Sequence, residues 1–148
     1  VYAYTGARLA SGVISYEEVG KELPLSEIVE LDVVETEYNK EEKSVTGCVD
    51  ILDVRFGSLW TSISRDDFYL LNPEFGKRYE VSIFHEHMLV YQNQVVYQHS
   101  FAEVAIGSPL LYINSVYRLG IAINQGSFAR AYNVGTGTNW KIRIRAID

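Results

Sequence analysis

Turn signals recur at short intervals from residue 57 onward, and their spacing restricts the fold more than any other feature of the chain. Gly57-Ser58, Asn72-Pro73, Gly76, Gln92-Asn93, Gly107-Ser108-Pro109, Gly126 and Gly135-Thr136-Gly137 punctuate the sequence. Each favours a local bend, so the stretches between them suit strands better than packed helices. Tyr79-Val81-Ile83 and Trp140-Ile142-Ile144-Ala146 alternate with polar or charged residues, which puts one face in a core and the other in water. Tyr79 to Phe84 and Met88 to Gln92, joined by His85-Glu86-His87, predict a hairpin. With 11 Tyr and 6 Phe, the region from residue 44 to 148 is expected to be mainly β, an antiparallel β-barrel-like domain.

Residues 1–43 read differently. Tyr2 to Leu9 suits a helix of two or three turns that stops at Ser11-Gly12. Ser15 with Glu18 fits a capping box for a short helical turn ending by Gly20. Pro24 breaks that run, and short β-rich pieces follow at Ile28 to Val34 and Val45 to Val54. The chain opens Val1-Tyr2-Ala3, and its one methionine is Met88, so a further segment is expected upstream.

Hydrophobic residues make up 47% and charged residues 22% of the 148 residues, the balance of a soluble globular domain. The net charge of -6 and the scatter of the 13 basic residues argue against nucleic acid, whose binders gather cations into a stripe. No apolar run approaches the roughly 20 residues that span a bilayer. Cys48 is the single cysteine; it cannot form an intrachain disulfide, and a cytoplasmic setting is expected.

P-loop, Gly-x-Ser-x-Gly, Cys-x-x-Cys and His-Glu-x-x-His patterns do not occur. His85 and His87 share a strand face and with His99 could bind Zn²⁺ if the three converged; two His beside Glu86 in a hairpin are more often a solvated turn, and no metal is predicted. Two segments stand out. Asp53-Val-Arg-Phe56-Gly57-Ser58-Leu-Trp60-Thr61-Ser62 collects a carboxylate, two rings and hydroxyls around a glycine. It reads either as a site or as a strand, turn and strand with Phe56 and Trp60 in the core. In Tyr112 to Ala129, Leu119, Ile121 and Ile123 alternate as one strand face, and Asn124 to Ser127 form its exit turn, where backbone groups could read a purine edge.

Together the two segments resemble the C-terminal domain of SAM hydroxide adenosyltransferases and of the related fluorinating and chlorinating enzymes. The family's Asp, Phe-Gly-Asn and Thr-Asn-Ile stand here as Asp53, Phe56-Gly57-Ser58 and Thr61-Ser62-Ile63. Its Tyr-Ala-Asp-Val, Ser-x-Gly and Ile-Ala-x-Asn-x-Gly appear as Phe101-Ala-Glu-Val104, Ser115-Val-Tyr117 and Ile121-Ala-Ile-Asn124-Gln-Gly126. The resemblance implies that residues 1–43 are the end of an N-terminal α/β domain and a linker, and that residues 44–148 bind substrate. By the same resemblance Asp53 holds the methionine ammonium of S-adenosylmethionine, and Ser115 hydrogen-bonds that amino-acid end. Phe56, Ser58 and Trp60 line the adenosine pocket, and the backbone at Asn124 and Gln125 reads the adenine edge.

The implied reaction converts S-adenosylmethionine and water to adenosine and L-methionine without a cofactor, S-adenosylmethionine being the substrate. Catalytic residues are expected in the N-terminal domain, not in this chain, and the family's sites lie between subunits of a homotrimer. Three departures bear on the site. Ser58 and Ser62 replace asparagines, Tyr117 replaces a glycine, and Val116 and Ile123 stand where the fluorinating relatives carry arginine, which favours the hydroxide-using branch. A binding module for adenosine or S-adenosylmethionine without a reaction, a halide-using relative that makes a 5'-halo-5'-deoxyadenosine, and a protein-interaction barrel with an all-core aromatic set are the alternatives.

Overall fold

The computed structural model describes residues 1–30 and 34–147, and the chain divides into two units, residues 1–31 and 32–148. The first holds helix α1 (Tyr2–Ala10), which ends at Ser11 and is followed by Gly12 at φ 71°. It buries none of its own residues. Glu18 Oε2 accepts from Ser15 N at 2.8 Å, the contact of a capping box, but only a turn follows where a helical turn was expected. A single 3-10 turn, Leu25–Glu27, comes after Pro24. Residues 28–30 are not a strand, and residues 31–33 of that expected piece lie outside the described residues.

The second unit is a closed barrel. Its strands are β1 (Glu37–Asn39), β2 (Ser44–Leu52), β3 (Leu59–Ser64), β4 (Arg78–His85), β5 (Met88–Tyr97), β6 (Pro109–Ile113), β7 (Arg118–Ile123) and β8 (Gly137–Ala146). Their order is β1-β2-β3-β7-β6-β5-β4-β8, and β8 pairs back onto β2. Seven strands therefore close the ring. β1 lies beside the start of β2, with Tyr38 opposite Val45; residues 37–39, expected in the linker, thus belong to the barrel.

Alternation builds the core as the sequence predicts. Val45, Val49, Leu59, Ile63, Val81, Ile83, Leu119, Ile121, Ile142 and Ile144 are fully buried in one cluster, because every second residue of a strand faces the same side. Two short helices cap the barrel. In α2 (Arg65–Tyr69) a capping box joins Ser64 and Asp67, and Phe68 is buried. In α3 (Phe128–Tyr132) Ser127 Oγ accepts from Arg130 N, and Asn133 at φ 52° ends the helix. Phe68 meets Tyr79 and Tyr97 edge-on, at 5.4 and 5.1 Å, the arrangement the ring quadrupole favours.

Two expectations are corrected. The barrel is not purely antiparallel, because β5 and β6 pair in parallel through Val96–Leu110 and Tyr97–Leu111. The chain between them, from residue 98 to 108, packs Phe101 and Val104 onto Leu110, Tyr112 and Ala122 of β6 and β7 instead of turning tightly, since parallel neighbours cannot be joined by a tight turn. Gln92-Asn93 is no turn either: β5 runs through it, pairing Gln92 with Ser82 and Asn93 with Val81. Both polar side chains are exposed to solvent, which removes the cost of placing them in a strand.

A second apolar cluster lies outside this core: Leu110, Tyr112 and Ala122, with Val96, Phe101 and Val104 packed on it. Tyr112 lies opposite Gly120 on β7, where a Cβ would come within 2.8 Å of its ring. Glycine at 120 therefore makes room for the phenol.

Candidate functional site

The loop from Asp53 to Ser58 joins β2 to β3 and folds back on itself. Asp53 N donates to Ser58 O at 2.9 Å, and Gly57 N donates to Asp53 O at 2.7 Å. Asp53 Oδ1 accepts from Arg55 N at 2.9 Å, a local side-chain bond that acidic residues commonly supply in turns. Gly57 takes φ 66°, and a Cβ there would stand 1.9 Å from Ser127 Oγ. Ala129 N donates to Gly57 O at 3.0 Å. Only glycine lets this loop lie against α3.

That contact creates a cleft of about 740 Å³ lined by Leu52 to Gly57, Phe101, Ile123, Gln125 to Ser127, Ala129 and Arg130. Its size is within the range for pockets that take small organic ligands. Asp53 is the one carboxylate in the lining, and Arg55 and Arg130 are its cations. Phe56, 63% exposed, faces Phe101 with ring centroids 6.4 Å apart and planes tilted by 40°. Phe101 leans in turn on Tyr112 at 5.0 Å, and Trp60 Nε1 donates to Tyr112 Oη at 3.1 Å. Burial raises the Tyr112 phenol, partly offset by the hydrogen bond from Trp60.

The sequence-predicted residues divide into three groups. Asp53, Phe56 and Gln125 line the cleft. Phe56 is not in the core, contrary to the simple strand-turn-strand reading. Ser58 is buried beneath the loop, and Trp60 is tied to Tyr112; these two support the wall from behind. Asn124 has a different task. Its Nδ2 donates to Val104 O at 2.8 Å, its N donates to Ser108 O at 3.0 Å and its O accepts from Gly107 N at 2.8 Å. Both backbone groups and the amide thus fasten the connecting segment 98–108 to the barrel. In the exit turn, Gln125 adopts φ 55° and faces the cleft.

Ser115 is not brought to Asp53 within one chain. It occupies the exposed turn between β6 and β7, in which Asn114 Oδ1 accepts from Val116 N at 3.0 Å and from Arg118 N at 2.9 Å. This turn joins the α2 end of the barrel, where Arg65 N donates to Tyr117 O at 2.9 Å and Ser64 pairs with Arg118. The Asp53 loop adjoins the other end, where Leu59 pairs with Ile121. Strand β3 separates them, a span of roughly 17 Å at about 3.3 Å per residue. Tyr117 keeps the turn that a glycine would make. It adopts φ 57°, and the Arg65 guanidinium lies 5.1 Å from its ring centroid.

The histidines are dispersed. His85 stacks on Trp140 at 4.3 Å and its Nε2 is 3.2 Å from Asn139 Nδ2. His99 stacks on Phe75 at 3.3 Å. Among the described residues no group of three His, Cys, Asp or Glu side chains could hold a metal. Cys48 is buried, with Sγ 3.0 Å from Asp50 Oδ1. Phe101 and Arg130 are lining residues that sequence reasoning did not assign. Phe101 was legible within Phe-Ala-Glu-Val, whereas Arg130 carries no signal until α3 turns it toward the cleft.

Comparison with known proteins agrees with the fold. The profile of the SAM hydroxide adenosyltransferase C-terminal domain matches residues 47–141. A fluorinase from Actinopolyspora mzabensis is 30% identical over 141 residues, covering 95% of this chain and 45% of the relative. A fluorinase from Nocardia brasiliensis is 29% identical, covering 96% of the chain and 46% of the relative. The chain thus spans about half the length of the curated relatives it matches. A crystal structure of an uncharacterized conserved protein from Thermotoga maritima superposes with a TM-score of 0.66 at 26% identity, covering 99% of this chain and 51% of that one. The cleft-forming loop and the exit turn both fall inside the matched region, and the chain belongs to the SAM hydroxide adenosyltransferase C-terminal domain family.

Proposed function

We propose that this chain is the substrate-binding part of an enzyme that converts S-adenosylmethionine and water to adenosine and L-methionine. One observation carries the reading: a carboxylate and two facing aromatic rings meet in a cleft of about 740 Å³. Adenine enters between Phe56 and Phe101, and its edge meets the backbone at Gln125. Their centroid separation of 6.4 Å is close to the roughly 7 Å that a sandwiched base needs, two aromatic contacts of about 3.5 Å each, and the exposed Phe56 must open slightly and rotate out of its 40° tilt to form the sandwich. Asp53, with Oδ1 committed to the loop, offers Oδ2 to the ammonium of the amino-acid end, a charge-assisted contact stronger than a neutral one.

The chemistry asks for alignment more than for covalent help. A water oxygen attacks the ribose 5' carbon, the carbon–sulfur bond breaks, and the electron pair stays on sulfur to give the thioether of methionine. The water proton passes to a base or to solvent. Holding nucleophile and sulfonium in line while excluding bulk water lowers that barrier. The residues that activate water belong to an N-terminal domain of a neighbouring subunit in a homotrimer. Ser115, at the far end of the barrel from Asp53, could then serve only a contact outside this cleft. The buried single cysteine suits a cytoplasmic setting, and no described helix is long and apolar enough to cross a membrane.

Ile123 in the cleft lining supports water over halide as the nucleophile, because an apolar side chain stands where fluorinating relatives carry a cation. That the relatives are fluorinases makes halide use the runner-up. Full-length protein should bind adenosine by calorimetry and release adenosine and methionine from S-adenosylmethionine, with no halogenated nucleoside at added fluoride or chloride. A 5'-halo-5'-deoxyadenosine would establish the halide-using alternative. Binding without turnover would leave a non-catalytic module, and absence of adenosine binding would leave an interaction barrel.

A further inference from the structure

We infer that Tyr112, which does not line the cleft, is a positioning residue for it: its phenol, seated over Gly120 and tied to Trp60, sets the place of the Phe101 ring. The inference rests on the proposed use of the Phe56–Phe101 wall for the adenine end and adds a residue that acts from behind that wall. Strands β3, β7 and β6 are neighbours in that order, and Gly120 of β7 stands opposite Trp60 on one side and Tyr112 on the other. Directly opposed residues of antiparallel strands share a face, so two large side chains flank a position that has none. They meet across it. Trp60 Nε1 donates to Tyr112 Oη at 3.1 Å, and a Cβ at residue 120 would stand 2.8 Å from Cε1 and Cζ of the phenol and 3.1 Å from its Oη. The ring therefore rests on the backbone of β7, with its oxygen held from β3. An indole N–H can only donate, so the phenol supplies the acceptor that a partly buried tryptophan needs.

Phe101 has no comparable constraint of its own. It opens the 3-10 turn Phe101–Glu103, between the ties that join its segment to the barrel at Gln98 and at Val104. Its ring has the exposed Phe56 on one side, at 6.4 Å, and Tyr112 on the other, at 5.0 Å with planes 51° apart. Phe56 has to move to admit a base. Tyr112, 8% exposed, is then the ring left to hold Phe101 still, within a bed completed by Leu110, Ala122, Val96 and Val104. A side chain fixed beforehand loses little rotamer freedom when ligand binds, a loss that otherwise weakens a complex roughly 2–10-fold.

The test is a double-mutant cycle on adenosine affinity, measured by calorimetry in full-length protein for wild type, Tyr112→Leu, Phe101→Leu and the pair. Tyr112→Leu should weaken adenosine roughly 2–10-fold and should add nothing once residue 101 is leucine, because its effect passes through that ring. Tyr112→Phe keeps the ring but not the tie to Trp60, and its affinity should fall between those of wild type and Tyr112→Leu. Gly120→Ala unseats the phenol without touching its chemistry and should also weaken adenosine; with Tyr112→Phe it carries the same cycle if Tyr112→Leu does not fold. Losses that multiply in the pair overturn the inference, since they show general damage that does not run through Phe101. Unchanged adenosine affinity in Tyr112→Leu and Gly120→Ala overturns it as well, as does a Tyr112→Phe variant no better than Tyr112→Leu. Failure of wild type to bind adenosine would instead remove the substrate reading beneath it.

Discussion

Replacing Gly57 by alanine tests whether the cleft depends on the loop lying directly against α3. Two independent costs apply. The residue sits at φ 66°, and the new Cβ would stand 1.9 Å from Ser127 Oγ, 2.5 Å from Ser127 Cβ and 2.8 Å from Ser127 Cα. A side chain in left-handed backbone costs about 1–2 kcal/mol. Forcing the loop from α3 adds the roughly 1–3 kcal/mol typical of overpacking, since these separations are far inside the ~3.5 Å at which non-bonded carbons attract. Gly57→Ala should therefore lose roughly 2–5 kcal/mol, which a domain of ordinary stability survives. Urea unfolding followed by tryptophan fluorescence measures the loss, and adenosine titration reads the cleft. Ser127→Gly separates the costs: glycine at a helix N-cap forfeits only a few tenths of a kcal/mol while removing the two shortest contacts. Gly57→Ala should cost less in that background, the remainder coming from backbone conformation and from the 2.8 Å approach to the Cα of residue 127, which the second substitution leaves in place. A loss below about 1 kcal/mol in wild type, or an equal loss in both backgrounds, would refute the packing argument.

Three further outcomes follow from the same coordinates. Phe101→Leu keeps apolar bulk against Tyr112 but removes a flat face, so adenosine should bind roughly 2–10-fold more weakly; equal affinity by calorimetry would remove Phe101 from the site. Burial pushes the Tyr91 phenol up to about 12 from an ordinary 10. Between those values the unfolded chain has released a proton that the native state retains, so stability should fall as pH rises from 10 to 12. Tyr91→Phe should make that fall shallower in urea titrations, and an unaltered slope would count against the burial. Burial, with the neighbouring Asp50, raises the Cys48 thiol to about 11, so iodoacetamide at pH 8 should label unfolded chains far faster than native ones; equal rates by mass spectrometry would contradict its protected position.

Strands whose faces divide cleanly between core and water were legible in the sequence. β4, β7 and β8 fall where the alternation of Tyr79 to Ile83, Leu119 to Ile123 and Trp140 to Ala146 puts them. Alternation says nothing about which strand lies beside which, so the parallel seam between β5 and β6 was invisible. Exposed polar residues misled at Gln92-Asn93, since a strand open to solvent there accommodates them without a turn. Ser64 and Asp67 carry a capping signal that marks α2 and could have been read from their spacing. At the site, composition brought attention to Asp53 and Phe56 because a glycine turn with a charge and a ring is unusual. The partners of Asn124 are distant in sequence, so its bracing of segment 98–108 could only come from coordinates. Ser115 shows the converse limit: a motif can match residue by residue and still lie at the other end of a strand.

Strand β8 pairs with β2 along one edge and with β4 along the other, so the ring's first and third strands in order of synthesis both wait for its last. Until residues 137–146 leave the ribosome, β2 and β4 each expose a row of unmatched amides and carbonyls. Such edges are where nascent chains join one another wrongly, and closing so long a loop is slow. Any truncation that removes the final strand would thus leave not a smaller barrel but an open, adhesive ribbon.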